Sequence, residues 1–133
     1  MKTIPDTSSF HFFNANPKNR RTTDCVVRAI ATATGKEWDE VLVELTETAI
    51  KHKQMIDDPA CFGKYLESLG WFKRPQPRKD NGKKFTGKEF VKYFKGTAVA
   101  NIGGGHTVCF KDGKAWDTWD CTDGTIGNYW TKG

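Results

Sequence analysis

An α+β fold in one domain is predicted from three observations. The periodic runs before Gly96 are helical, short strand-like runs between turn residues follow it, and the chain has only 133 residues. A chain of that length buries roughly two thirds of its unfolded surface, which suits a single core. An aromatic content of 13% is enough to build that core on rings.

The elements follow in order. Residues 1–20 hold no sustained period, so Phe10, Phe12 and Phe13 are expected on an extended arm whose rings dock on the core. From Asp24 to Thr34, Val26, Val27, Ile30 and Ala33 fall at helical spacing, and Gly35 closes the run. A second helix over about 37–52 carries Trp38, Val41, Leu42, Leu45 and Ala49 on one face, and a third over 59–69 stops at Gly70. A fourth opens on TGKE, where Thr86 and Glu89 have capping-box spacing, and ends at Gly96. Beyond it TAVANI (97–102), HTVCFK (106–111), KAWDTW (114–119) and TIGNYW (125–130) read as strands of an antiparallel sheet. Trp38, Trp71, Phe90, Phe94, Trp116 and Trp130 are expected to fill the core.

Composition narrows the function classes. No apolar run approaches the ~18 residues that cross a bilayer, and MKTIPDTSSF lacks the apolar segment of a secretory signal, so a cytoplasmic address without membrane contact is expected. Four cysteines, at 25, 61, 109 and 121, form no CxxC pair and are expected as free thiols. The net charge of +5 gathers in KNRR (18–21) and in a basic loop over 73–84. Two prolines and Asn81-Gly82 mark that second stretch as a solvated loop, and no nucleic-acid motif accompanies it.

Chemistry is suggested by the stretch around Asp112-Gly113, the strongest short hairpin signal. A two-residue turn there pairs 111 with 114 and, counting back, sets His106, Val108 and Phe110 on the face of Ala115, Asp117 and Trp119. His106 and Asp117 become diagonal neighbours, able to fix an imidazole by one nitrogen and leave the other free. Cys109 projects to the opposite face, and Cys61, Cys109 and Cys121 read as small core residues. Trp119, on the His106 face, suits either the core or a cleft wall.

Cys25 stands at the start of the first helix, where unpaired N–H groups and the macrodipole favour a thiolate and can receive an oxyanion. Asp24 beside it would oppose ionisation unless its carboxylate turns away to cap the helix, which is the expectation here. Arg28, one turn on, either adds positive potential or pairs with a carboxylate.

The order Cys, His, Asp, with the thiol at a helix start and the other two on adjacent strands, resembles the papain-like cysteine peptidases. More narrowly, NPKNRRTTDCVVRAIATATGKEWDEV followed by GGGHTVCFKDGKAWDTWD is similar to small papain-fold proteins of phages and mobile elements. The resemblance implies one minimal papain-like domain over 1–133, with Cys25 as nucleophile, His106 as general base and acid, and Asp117 orienting the imidazole. It also implies an oxyanion donor six residues before the cysteine, where glutamine is usual and Asn19 stands here, with Asn16 as the alternative. DCVVR replaces the CGSCW of that family.

The expected activity is thiol-dependent acyl transfer on a peptide or side-chain amide, as a peptidase, amidase, deamidase or transglutaminase-like enzyme, with a protein or peptide substrate and no cofactor. The alternative keeps the fold without the chemistry, as a binding protein that inhibits a host factor. A zinc site from Cys25, His106, Cys121 and Asp117 lacks the usual closely spaced ligand pairs, so no metal is expected.

Overall fold

The computed structural model describes residues 2–133 and contains, among them, four helices and six strands in one mixed sheet. In chain order these are β1 (Phe10–Phe12), α1 (Cys25–Thr34), α2 (Trp38–His52), α3 (Pro59–Ser68), β2 (Trp71–Arg74), α4 (Gly87–Tyr93), β3 (Ala98–Ile102), β4 (His106–Lys111), β5 (Lys114–Asp117) and β6 (Ile126–Lys132). The strand order is β1-β5-β4-β3-β6-β2.

The sheet is not purely antiparallel, nor do all strands follow the helices. β1 pairs in parallel with β5 at one edge, and β2 pairs antiparallel with β6 at the other. These strands have three and four residues, too few to print a period, and each exists because a longer strand offers it an open edge. Lys73 and Arg74, expected in the basic loop, therefore belong to β2.

Alternation along the central strands divides the core in two. Val99, Cys109 and Trp130 face α1, α2 and α3, joining Val27, Ile30, Leu45 and Phe62, all buried. Ala98, Ala100, Ile102, Val108, Phe110, Ala115 and Ile126 face α4 through Phe90 and Val91. Of the expected core aromatics, Trp71, Phe90 and Trp130 are buried, while Trp38, Phe94 and Trp116 are half-buried. Trp116 instead meets His11 and Phe13 of the arm, with ring centroids 4.5 and 5.3 Å away.

Local chemistry sets the boundaries that position the site. Gly35 closes α1 with φ of 77°, a left-handed conformation that glycine adopts without a Cβ penalty. Thr86 and Glu89 form both halves of the capping box at the start of α4. Asp112 and Gly113 take φ of 52° and 75°, the backbone of a tight hairpin turn, and Lys111 pairs with Lys114. That ladder stops at Cys109 opposite Trp116. Beyond it β5 keeps its pairing with β1, Phe12 opposite Asp117, and the start of β4 is left to face the first turn of α1.

Candidate active site

α1 begins at Cys25 because Asp24 supplies the first helical acceptor, its carbonyl taking the Arg28 N–H at 2.9 Å. The Asp24 side chain does not cap, contrary to the sequence expectation. It turns inward and accepts from Arg28 Nε at 2.8 Å, Trp38 Nε1 at 3.0 Å and Asn16 Nδ2 at 3.2 Å. A buried carboxylate is stabilised more by three converging donors than by exposed helix amides. The consequence for the site is that the first-turn N–H groups have no side-chain acceptor.

Arg28 meets both readings offered for it, pairing with carboxylates on two sides while its charge also acts on the thiol. Its Nε meets Asp24 and its Nη1 meets Asp117 Oδ1 at 2.7 Å, so one guanidinium bolts α1 to β5. Asp117, nearly wholly buried, also accepts from the Thr118 N–H at 2.7 Å and holds His106 Nε2 at 2.5 Å through Oδ2. Burial raises the Asp117 pKa, but the His106 and Arg28 contacts outweigh it and keep the carboxyl below its usual range.

With Nε2 on Asp117, His106 has Nδ1 left for a second partner, and the ring and the Cys25 thiol line the same groove, close enough for each to shift the other's titration. Burial pushes that thiol up. The His106 side chain, the Thr107 main-chain N–H and the charges of His106 and Arg28 outweigh burial, so its pKa falls below the ordinary value. His106 shifts the other way: burial favours the neutral ring, yet Asp117, Cys121 and Cys25 together raise it to about 11. Thiol and imidazole therefore favour the charged state in each other, the electrostatic signature of a thiolate–imidazolium pair.

Trp119 leans on the imidazole with ring centroids 4.8 Å apart, while 45% of its surface stays exposed. It is a wall of the cleft, not a core residue. A wall of three glycines, Gly103, Gly104 and Gly105, leads up to His106, and a Cβ built on any of them meets nothing within 4 Å. A groove of about 700 Å³ lined by Cys25, His106, Thr107, Asp57 and Trp119 opens over the sulfur.

Asn19 is not brought to the thiol. It is exposed, its main chain takes φ of 53°, and it lines the groove beyond Trp119 in place of the stretch over Cys25. Asn16 is buried with its amide nitrogen on Asp24 and Oδ1 on the Lys18 N–H, so it is occupied elsewhere. At the sulfur itself the start of α1 carries no side-chain cap, so its first-turn amides are not taken up by Asp24. Spacing alone put Asn19 at the thiol, whereas the turn there folds 16–19 back on itself through an Asn19 N–H to Asn16 carbonyl bond of 2.9 Å.

Of the other thiols, Cys61 and Cys109 are buried in the core as expected, with Cys109 on the α1 face away from His106. Cys121 is buried in the α4-side core as expected, and in addition its sulfur and the ligating atoms of His106 and Asp117 lie within 4.8 Å of one another. Burial raises its pKa and keeps it a neutral thiol. A cation entering there would have to take His106 Nε2 away from Asp117, whose other oxygen is held by Arg28 and Thr118. Position just after β5 was the only signal for Cys121. The Arg28–Asp117 contact spans 89 residues and had no local signal at all.

The chain matches no protein-family model, no curated protein and no solved structure.

Proposed function

We propose that this α+β chain is a papain-like, thiol-dependent acyl-transfer enzyme acting on a polypeptide or side-chain amide. One observation carries the reading. The imidazole that shares a groove with the Cys25 thiol is anchored through Nε2, 2.5 Å from the buried Asp117 carboxylate, with Nδ1 left for the sulfur. In this reading Cys25 is the nucleophile, His106 the proton carrier and Asp117 the orienting carboxylate.

The Cys25 thiolate adds to the amide carbonyl, forming a C–S bond as the carbonyl electron pair moves onto oxygen. Amides of the first turn of α1 receive that oxyanion, and the Asp24 side chain leaves them free to do so. His106 delivers its Nδ1 proton to the amide nitrogen, the C–N bond breaks, and the amine departs. The thioester is then resolved by water or a second amine, whose proton returns to His106 as the C–S bond breaks. Trp119 covers one face of the imidazole and limits exchange of that proton with bulk water.

The test is the pH dependence of Cys25 alkylation by iodoacetamide, with labelling by a peptide vinyl sulfone read in parallel. Wild type is expected to alkylate with an inflection below the ordinary thiol pKa of about 8.5. In His106→Ala the imidazole and its positive charge are gone while burial stays, so the inflection moves up. Alkylation at neutral pH then slows roughly tenfold for each unit of that rise. Cys25→Ser should show no labelling. An inflection unchanged by His106→Ala would mean that thiol and imidazole do not act together, and the enzyme reading would fail.

A further inference from the structure

The groove over Cys25 does not end at the reaction centre. On one side it continues, through Asp57, Gly105, His106 and Thr107, into a stretch of about 580 Å³ along the glycine wall. On the other it passes Arg21, Thr118 and Trp119 into a further stretch of about 600 Å³. Shared lining residues at both junctions set the three stretches side by side, with the one over the thiol in the middle. Their arrangement suits an extended chain running past Cys25 rather than a small compact molecule.

Charge is distributed unevenly along them. In the glycine-wall stretch Lys84 is balanced by Asp57. Past Trp119 the lining carries Lys2, Arg20 and Arg21 and no carboxylate. Among the described residues none of these three forms an ion pair, so the chain itself leaves this cluster of charge unneutralised. The Asp24 carboxylate nearby is spent on Arg28, Trp38 and Asn16. Positive charge without internal partners, lining a concave stretch, raises the local concentration of anionic segments.

Resting on the reading of Cys25 as an acyl-transfer nucleophile, we propose that the substrate is a polypeptide with acidic residues on the Trp119 side of the reacting amide. Arg20 and Arg21 determine that specificity. Arg21 lines both the stretch over the sulfur and the stretch beyond it, so it is the cation placed to meet a Glu or Asp side chain that leaves the reacting amide on this side. Trp119, on the same side, offers an apolar face to the intervening residue.

Protection of Cys25 from iodoacetamide tests this with three competitors: a Glu-rich peptide, a Lys-rich peptide of the same length, and a single-stranded oligonucleotide of matching negative charge. The Glu-rich peptide should slow alkylation saturably, less at high salt, and the Lys-rich peptide should not. Arg20→Glu with Arg21→Glu should weaken protection by the Glu-rich peptide roughly tenfold. Equal protection by both peptides, or by neither, overturns the specificity. Protection by the oligonucleotide as strong as by the Glu-rich peptide assigns the basic stretch to nucleic acid and overturns it too. The His106-dependent pH profile is measured without any competitor, so loss of the enzyme reading and loss of this specificity are separate results.

Discussion

The C-terminal half of α1 meets the sheet through Ile30, Ala31 and other apolar side chains, while its first turn sets Asp24, Cys25 and Arg28 among charged and hydrogen-bonding groups. The apolar half is held by many weak and interchangeable contacts, each adjustable by repacking. The polar half is held by a few directional ones, each with a single partner atom. A loss in the first region is therefore expected to cost stability alone, and a loss in the second to cost stability and reactivity together.

Arg28→Met should separate the two regions most sharply. It removes the bridge between Asp24 and Asp117 and leaves two buried carboxylates short of a donor, at a cost of about 3–5 kcal/mol. Thermal denaturation measures that cost. In the protein that remains folded, the Cys25 alkylation inflection should also shift upward, because a positive charge near the sulfur is lost and the Asp117–His106 pair is less fixed. Arg28→Lys keeps the charge but lacks a fork that reaches two carboxylates, and it should recover only part of either effect. An unaltered alkylation profile in Arg28→Met would show that the bridge matters to folding only.

Leu45→Ala is the counterpart in the apolar region. Leu45 is wholly buried in α2 among the α1 and α3 side chains, and truncation there costs about 2–5 kcal/mol. Measured on folded protein well below the melting temperature, its alkylation profile should match wild type. A shift of the inflection would mean that the charged end of α1 is tuned through the core, and the division drawn between the regions would not hold.

The same division governs what could be read from the sequence. Periodicity in the longer helices, with cap and turn residues such as Thr86, Gly70 and Asp112-Gly113 marking the shorter elements, located all four helices and the four C-terminal strands to within a few residues. The Asp112-Gly113 signal gave the hairpin register, and that register brought His106, Asp117 and Trp119 to one place. What stayed hidden was tertiary and made of single contacts. The edge strands β1 and β2 exist only through their partners, and Asp24 turned from capping to Arg28 because Trp38 and Asn16 waited inside. Cys121 reached His106 through a loop without any period, and Asn19 was carried away from the thiol by a turn invisible in spacing.

Two glycines in helices extend the comparison to its smallest effects. A Cβ on Gly63 in α3 would lie 3.4 Å or more from the Trp130 ring, an ordinary contact. Gly63→Ala should accordingly be tolerated and, by restricting the unfolded chain, raise stability by about 0.4–1 kcal/mol. A Cβ on Gly87 at the start of α4 would come within 2.8 Å of the Thr122 main chain, which cannot yield without moving the turn. That turn is fastened to α4 by the Gly87 N–H to Gly124 carbonyl bond at 2.9 Å and the Lys88 N–H to Thr122 carbonyl bond at 3.0 Å, and it carries Cys121. Gly87→Ala should cost about 1–3 kcal/mol. Because displacement of the turn moves Cys121 and loosens Trp119 over the imidazole, it should also disturb the Cys25 alkylation profile, although Gly87 touches neither residue of the thiol–imidazole pair. A Gly87→Ala protein as stable as wild type would mean that the 121–124 turn is free to shift, and its role in fixing the floor of the site would have to be given up.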